Sequence, residues 1–325
     1  MRVVTWNVEN LFSPAAPGED PAGRPDPETY AAKLSTLTGV VAALAPDVLA
    51  LQEVGDEAAL DDLRASLEQA TGGGWVARAS RAPDSRGIRV AVLTTRDVLA
   101  TSDVIALPPR LRPVQVDDAG TTVERMGRGA LRVRVEAATG PLDVLTAHLK
   151  SKLLSYPGGR FSPRDEGERA RTAAYALFRR AAEAAAVRVA ADDTLRGRGR
   201  EQALVVCGDL NDTVDAATTQ LLLGPGGSEI GTPGERSPDA GDAHRLWNVA
   251  PLVPEERRFS RVYRGRGELI DHVLVSRALL GRVQRADCAL DVLPGEALPS
   301  VTDDPRARVG TPGSDHAPVL VDLDW

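Results

Sequence analysis

The sequence has little cysteine and no long hydrophobic run. Its two cysteines, Cys207 and Cys288, form no CxxC pair, so they indicate neither a disulfide framework nor a zinc cluster. No apolar stretch approaches the roughly 18 residues that a membrane-spanning helix needs. The first residues, MRVVTWNVENLF, lack the apolar core of a signal peptide and predict a strand instead. These absences predict a cytoplasmic protein that contacts no membrane, with secretion left open if a leader was trimmed.

An excess of positive charge and of aromatic side chains is also missing. The formal net charge is −7, the pI is about 5.3, and aromatic residues make up 4% of the chain. These values exclude a surface that is basic overall, which is the usual mark of a tight nucleic-acid binder. They also count against an aromatic-rich platform for single strands. A metal-carrying cleft can still attract phosphate locally while the remaining surface stays acidic.

The 325 residues arrange strands, hairpins and helices in a mixed order without a fixed repeat. This order and the chain length favour one α/β domain over residues 1–325, built from two packed mixed β-sheets flanked by helices. Apolar periodicity predicts helices over 28–44, 57–70 and 163–191. Strands are predicted over 2–8, 46–54, 75–79, 88–94, 98–107, 129–137, 142–148, 203–207, 259–264, 269–276 and 317–323.

Polar side chains cluster where the predicted strands begin or end. VVCGDLND, residues 205–212, leads a buried strand into a carboxylate and a carboxamide two positions apart. On its own this pattern is ordinary turn chemistry, because Asp and Asn bond their own backbone. Six strand ends share the feature, however, and carry Asn7 with Glu9, Gln52 with Glu53, His148, Asp209 with Asn211, Asp271 with His272, and Asp315 with His316. Hard oxygen donors with few histidines suit Mg²⁺ or Mn²⁺ rather than zinc.

Six short motifs in fixed order resemble a known family. TWNVEN, LQEV, TAHLKSK, GDLND, IDHVLVS and SDHAP follow one another as in the endonuclease/exonuclease/phosphatase superfamily. The resemblance extends from Trp6 to Val319, and HLKSK together with residues 258–276 is most similar to the bacterial nuclease branch. It implies a four-layer α/β sandwich that hydrolyses phosphate esters with the help of a divalent metal.

The resemblance also implies which residues hold the metal. Glu53 corresponds to the family's main metal-binding glutamate, Asn7 is its neighbour on the first strand, and Asp315 is a second ligand of metal or water. A surface residue at a strand end is the competing interpretation of Glu53, although LQEV follows an apolar strand.

The same resemblance assigns the reacting groups. Asp209 orients or deprotonates the attacking water, Asn211 holds the phosphate, and His316 contacts the scissile phosphate. Asp271 orients that histidine, and a carboxylate in this position would keep the imidazole protonated near neutral pH. His148 corresponds to the second histidine of the deoxyribonuclease-like branch, with a satisfied core histidine as its alternative. Hydrolysis adds negative charge to an anionic phosphate, which a cation, an imidazolium and amide donors offset.

Five further side chains are candidates for substrate binding. Lys150 and Lys152 flank the strand that ends in His148, and Arg160 and Arg164 follow at a loop and helix start, where anions often bind. Tyr263 lies on an alternating strand of which one face could meet a nucleic-acid backbone. Solvated surface lysines, an exposed helix face and simple strand alternation are the respective alternatives.

Together these features predict a metal-dependent phosphodiesterase that hydrolyses DNA, or RNA in its place. The acidic pI leaves a second hypothesis open, a phosphatase or phosphodiesterase of a small phosphorylated metabolite or phospholipid head group. A catalytically silent binding module is disfavoured, because every expected carboxylate and imidazole position is filled. The sequence gives no indication of an obligate protein partner.

Overall fold

A computed structural model describes residues 1–16, 23–227, 229–295, 297–304, 308 and 310–325. Its helices are α1 (Pro27–Leu44), α2 (Glu57–Thr71), α3 (Glu166–Leu195), α4 (Ala217–Leu223), α5 (Pro233–Arg236) and α6 (Arg277–Leu280). Its strands are β1 (Arg2–Leu11), β2 (Val48–Val54), β3 (Val76–Ala79), β4 (Arg89–Thr94), β5 (Val98–Ala106), β6 (Val114–Gln115), β7 (Thr122–Val123), β8 (Arg125–Val135), β9 (Leu142–His148), β10 (Ala203–Asp209), β11 (Leu246–Asn248), β12 (Arg261–Tyr263), β13 (Arg266–Glu268), β14 (Asp271–Ser276), β15 (Val283–Cys288), β16 (Ser300–Val301) and β17 (Val319–Leu323).

Two six-stranded sheets form the centre of the molecule. Sheet A has the order β15-β17-β1-β2-β4-β3, and sheet B has the order β11-β14-β10-β9-β8-β5. Each sheet contains one parallel pair, β1 with β2 and β9 with β10, and its remaining pairs are antiparallel. A small sheet, β13-β12-β16, and the hairpin β6-β7 lie outside the two main sheets.

The buried side chains form three layers of core. The central layer joins valines and leucines from the facing sides of both sheets, such as Val48 of β2 and Val205 of β10. A second layer packs α1 and α2 on the outer face of sheet A, and a third packs α3 and α4 on the outer face of sheet B. Helices, sheet, sheet and helices therefore stack in that order, which confirms the predicted four-layer sandwich.

A buried polar bridge connects the two sheets. The Gln52 amide on β2 donates to the hydroxyl of Thr5 on β1 and to that of Thr146 on β9, both at 3.0 Å. All three side chains are fully buried. Because these bonds satisfy buried polar groups and span the gap between sheets, they fix how the two sheets are aligned.

The predicted elements correspond closely to the observed ones, with one omission among the longer strands. Strand β15 was not predicted, because its edge sequence VQRADC exposes polar residues and alternates weakly. Strand β8 begins earlier than its predicted range of 129–137, since a glycine-containing segment at its start also pairs. No helix among the described residues is both long enough and apolar enough to cross a bilayer.

Candidate active site

Three polar residues lie side by side across sheet B. In the register of the strands, Asp209 at the end of β10 faces His148 of β9 on one side and Asp271 of β14 on the other. The preceding Gly208 has φ +140, and a Cβ there would come within 1.9 Å of the Ala147 carbonyl oxygen. Only glycine permits this close approach of the strands, so a glycine is required directly before Asp209 to place it between His148 and Asp271.

Asp209 is the buried centre of the site. Its Oδ2 lies 3.3 Å from His148 Nε2 and 4.0 Å from His316 Nε2, and it accepts a hydrogen bond from the Asn7 amide at 2.9 Å. Burial, reinforced by the nearby Asp271 carboxylate, raises the pKa of Asp209 to about 7. Asp209 therefore has the proton affinity of a group that exchanges protons near neutral pH.

His316, just before β17, is paired with a carboxylate. Its Nδ1 lies 2.6 Å from Asp271 Oδ2, a strong charge-assisted contact. Burial opposes protonation, but the negative charges of Asp271, Asp315 and Asp209 together outweigh it and raise the pKa of His316 to about 10. Trp6 Nε1 donates to the His316 carbonyl at 2.8 Å, and Ser314 accepts from the His316 amide at 3.0 Å. The imidazolium is thus fixed with Nε2 facing Asp209.

His148 has the opposite electrostatic character. Burial, aided by the positive charge of Arg128, lowers the pKa of His148 well below its ordinary value. Its Nδ1 is buried and has no hydrogen-bond partner among the described residues. The site therefore places one neutral imidazole and one cationic imidazole on either side of Asp209.

Glu53 brings a second carboxylate to the same place from sheet A. Its Oε2 accepts from the Asn10 amide at 3.0 Å, while Oε1 lies 3.5 Å from Asn7 Nδ2 and 4.0 Å from His148 Nε2. The side-chain oxygen Oδ1 of Asn7 accepts from the Glu9 backbone amide at 3.0 Å. In this arrangement Asn7 directs its amide nitrogen, rather than its oxygen, towards the carboxylates.

Asp315 completes the acidic group. Its Oδ1 lies 3.9 Å from His316 Nε2, its Oδ2 lies 3.5 Å from Arg261 Nε, and its backbone amide donates to Glu9 at 3.0 Å. Glu53 and Asp315 both line the cavity described below. Carboxylate oxygens on one cavity are a donor set suited to a divalent cation such as Mg²⁺ or Mn²⁺, and among the described residues Asp209, Asp271 and His316 place their ligand atoms within 4.8 Å of one another.

Four residues at the site adopt a left-handed backbone although none is glycine. They are Glu9, Asn10, Glu53 and Asn211, with φ values between 50° and 63°. Such conformations are strained for a non-glycine residue and concentrate at functional sites. Asn211 is also tied by its side-chain amide, which donates to the Leu149 carbonyl at 3.0 Å.

These residues open into a cavity of about 600 Å³. We call the cationic side chains that line it the basic wall, which consists of Arg86, Arg128, Lys152, Arg261 and Arg308. Arg86, Arg128 and Arg308 were not foreseen from the sequence. The order of the strands could have revealed Arg86 and Arg128, since β4 and β8 begin where their antiparallel neighbours β2 and β9 end.

The five predicted substrate-binding residues divide into two groups. Lys152 and Tyr263 line the cavity. Lys150 instead donates through Nζ to the carbonyls of Ser151 and Leu153, at 3.2 Å each, and does not line the cavity. Arg160 and Arg164 also lie outside its lining. A role for these three in substrate binding stays a prediction.

Arg160 pairs with a helix residue, and His272 faces away from the site. Arg160 Nη2 lies 2.7 Å from Glu168 of α3.

His272 is buried, with Nε2 2.8 Å from the Asp212 carbonyl and Nδ1 3.2 Å from the Asn248 amide. Its placement agrees with strand alternation, which directs His272 to the side opposite Asp271.

Comparisons with known proteins agree with the fold. The chain is similar to the 3'-5' exonuclease NExo from Neisseria meningitidis, with 19% identity, a TM-score of 0.55 and complete coverage of both chains. It is similar to the human Nocturnin catalytic domain, with 14% identity and a TM-score of 0.57 over 99% of this chain and 93% of that one. An AP endonuclease from Archaeoglobus fulgidus matches with 15% identity and a TM-score of 0.53, and both chains are covered completely.

No curated protein matches the sequence. The model of the endonuclease/exonuclease/phosphatase family matches residues 4–316, which is nearly the whole chain and includes every strand end of the site. The protein therefore belongs to the endonuclease/exonuclease/phosphatase family, whose members hydrolyse phosphate ester bonds.

Proposed function

We propose that this hydrolase is a divalent-metal-dependent phosphodiesterase, and that its substrate is DNA. One observation carries the proposal. The buried carboxylate of Asp209 lies between a neutral imidazole, His148, and a cationic one, His316, with the basic wall around them. A proton acceptor beside a fixed cation is the arrangement that in-line hydrolysis of a phosphodiester needs.

Glu53 and Asp315 would hold the cation, and because Asn7 presents its amide nitrogen to Asp209 at 2.9 Å, its role as a metal ligand stays a prediction. Among the described residues, Glu53 has no lysine or arginine within salt-bridge distance, and Asp315 meets only Arg261, at 3.5 Å through Oδ2, which leaves carboxylate oxygens for a hard metal ion. When bound, Mg²⁺ or Mn²⁺ supplies positive charge that offsets the charge developing on the phosphate.

The chain's own residues supply proton transfer and orientation. Asp209 accepts a proton from a water molecule while the oxygen of that water bonds to phosphorus. The bond between phosphorus and the ester oxygen breaks on the opposite side. His316 Nε2 donates a hydrogen bond to a phosphate oxygen, while Asp271 holds the ring by Nδ1. Asn211, whose backbone amide donates to Asp209 at 2.9 Å, fixes that carboxylate and lies beside the phosphate.

The basic wall supports a polyanionic substrate. It gathers five cationic side chains on one cavity of a protein whose formal net charge is −7. Seven carboxylates line the same cavity, so each cation of the wall, rather than the summed charge of the cavity, would neutralise a backbone phosphate and make binding sensitive to salt. Among the similar structures, a Neisseria 3' phosphatase is bound to a product DNA hairpin.

A direct test compares substrates. The protein is incubated with supercoiled plasmid and Mg²⁺ or Mn²⁺, with and without chelator, beside a chromogenic bis-phosphodiester and a phosphomonoester. We expect nicking that needs the cation and disappears in Asp209→Ala. The absence of hydrolysis of every substrate with either ion would contradict the proposal.

A second function, hydrolysis of a small phosphorylated metabolite or lipid head group, is supported by the shape of the cavity. Its volume of about 600 Å³ falls within the range of small-molecule sites. One side is held by Tyr263, whose hydroxyl donates to Asp303 at 2.7 Å. Activity on the monoester alone, with intact plasmid, would favour this function over the nuclease.

A further inference from the structure

Helix α3 carries two buried charged residues where it crosses sheet B. Glu183 is 1% exposed and Arg180 is 6% exposed. Burial of a charge is unfavourable unless hydrogen bonds and opposite charges compensate it. The two residues are three positions apart and so share one face of the helix. Their partners show what this face holds.

Glu183 joins two separate segments of sheet B. Its Oε1 accepts from the Gly127 amide at 2.9 Å and from Arg179 Nε at 3.1 Å, while its Oε2 accepts from the Lys150 amide at 2.7 Å. Gly127 directly precedes Arg128, and Lys150 lies two residues before Lys152. One carboxylate therefore anchors the backbone beside two members of the basic wall.

Arg180 connects the segment at Lys150 to the residues that follow β10. Its Nη1 donates to the Lys150 carbonyl at 3.1 Å, and its Nε donates to Asp212 at 3.1 Å. Asp212 also pairs with Lys152 Nζ at 3.0 Å. The Lys150 peptide is thus held on both sides, at its amide by Glu183 and at its carbonyl by Arg180.

The contacts differ from those of a helix that is merely packed on a sheet. Glu183 bonds to the backbone of Gly127 in β8 and of Lys150, Arg180 bonds to the backbone of Lys150, and neither side chain lines the cavity itself. The approach is also close, because a Cβ on Gly127 would lie 2.4 Å from Arg179 Nη2. The helix face therefore determines where Arg128 and Lys152 are presented.

We propose that Glu183 and Arg180 are positioning residues, which set the phosphate-binding geometry of Arg128 and Lys152 from outside the cavity. This inference rests on the proposed function, since the basic wall is taken to bind the phosphates of the substrate. It assigns to α3 a part in substrate affinity and none in proton transfer.

The test measures kcat and KM of Glu183→Gln and Arg180→Gln on the bis-phosphodiester substrate. Glutamine cannot accept from both amides as the carboxylate does, so we expect KM to rise about tenfold with kcat nearly unchanged. Glu183→Asp, which keeps both acceptor oxygens, should recover part of the loss. Arg188→Gln is the matched control, because Arg188 also bonds α3 to backbone carbonyls, those of Leu222 and His244.

Three outcomes would overturn the proposal for variants that circular dichroism shows to be folded. They are an unchanged KM, a fall in kcat alone, or an equal rise in KM for the control. If the native protein hydrolyses nothing, the proposed function fails, and the positioning claim is judged by calorimetric titration with inorganic phosphate. Weaker phosphate binding in Glu183→Gln than in Arg188→Gln would support positioning, and equal binding would refute it.

Discussion

Two clefts lie at opposite ends of the same strands, and both are lined by arginines and carboxylates. The catalytic cavity lies where β10 ends and β14 begins. A second cleft, of about 730 Å³, lies where β10 begins and β14 ends, and we call it the distal cleft. It is lined by Arg200, Arg236, Arg277, Arg282 and Asp242, among others.

The clefts differ in how their buried carboxylate is compensated. Asp242 in the distal cleft is fully buried and faces guanidinium groups, with Arg245 at 3.0 Å, Arg277 at 3.6 Å and Arg200 at 3.9 Å. Asp209 in the catalytic cavity meets no arginine or lysine within salt-bridge distance among the described residues. Cleft volume and arginine content therefore do not identify the site. The buried carboxylate that faces imidazoles rather than guanidinium groups does.

Exchanging Asp209 for Asn should have the largest effect on activity. It removes the proton acceptor, so we expect kcat to fall by about 10²–10⁴-fold. The free energy of unfolding of the variant at pH 8 should rise rather than fall. The folded protein holds the Asp209 proton up to a pKa of about 7, whereas an unfolded Asp releases it at about 3.9, so ionisation of Asp209 lowers stability as the pH rises between these values.

Urea unfolding of the metal-free protein checks this sign. Asp209→Asn should be more stable than the native protein at pH 8, with the difference vanishing at pH 3. Lower stability at pH 8 would mean that Asp209 is a structural ion-pair partner like Asp242, and the contrast between the clefts would fail.

Asp242→Asn should show the reverse behaviour. The substitution leaves Arg245, which is 5% exposed, with Asp239 as its remaining carboxylate partner, and loss of one charge-assisted hydrogen bond costs about 1.5–3 kcal/mol. The free energy of unfolding should fall by about that amount, while kcat/KM per folded molecule stays unchanged. A loss of activity in the folded variant would show that the distal cleft contributes to hydrolysis.

Asp271→Asn tests the charge on His316. Against the effect of burial, Asp271 contributes most to raising the pKa of His316 to about 10, with Asp315 and Asp209 adding to it. Activity that needs the imidazolium is present below that pKa and is lost as the pH rises through it. Without the carboxylate the pKa falls, so the alkaline limb of the pH–rate profile should move to lower pH. An alkaline limb that stays in place would remove His316 from the assigned role.

The site's strand ends were predictable because strand polarity alone brings them together. Asn7 and Glu53 end the parallel pair of sheet A, and His148 and Asp209 end the parallel pair of sheet B. Each of these side chains follows an apolar run in the sequence, so its position could be deduced without knowing the order of the strands.

The other residues of the cavity lining could not be predicted from the strand pattern, which gives neither the order of the strands nor the direction of loop side chains. Arg86 and Arg128 reach the cavity because β4 and β8 are antiparallel neighbours of the catalytic strands, which requires the sheet order. Lys150 lies outside the cavity lining, and its ammonium bonds to the carbonyls of its own loop, so a role in phosphate binding stays a prediction. Side-chain direction in a loop follows from local hydrogen bonds rather than from sequence spacing.

The smallest predicted effect compares one arginine from each cleft. Arg128 is held by Asp84, which accepts from its Nε at 3.2 Å, and it lines the catalytic cavity. If it meets a backbone phosphate, Arg128→Gln should weaken DNA binding and reduce the slope of log K against log salt concentration by about one. Arg236→Gln in the distal cleft should leave both unchanged. Both quantities are measured by fluorescence anisotropy with metal-free protein. Equal changes in the two variants would mean that DNA binding depends on the total charge of the protein rather than on the basic wall.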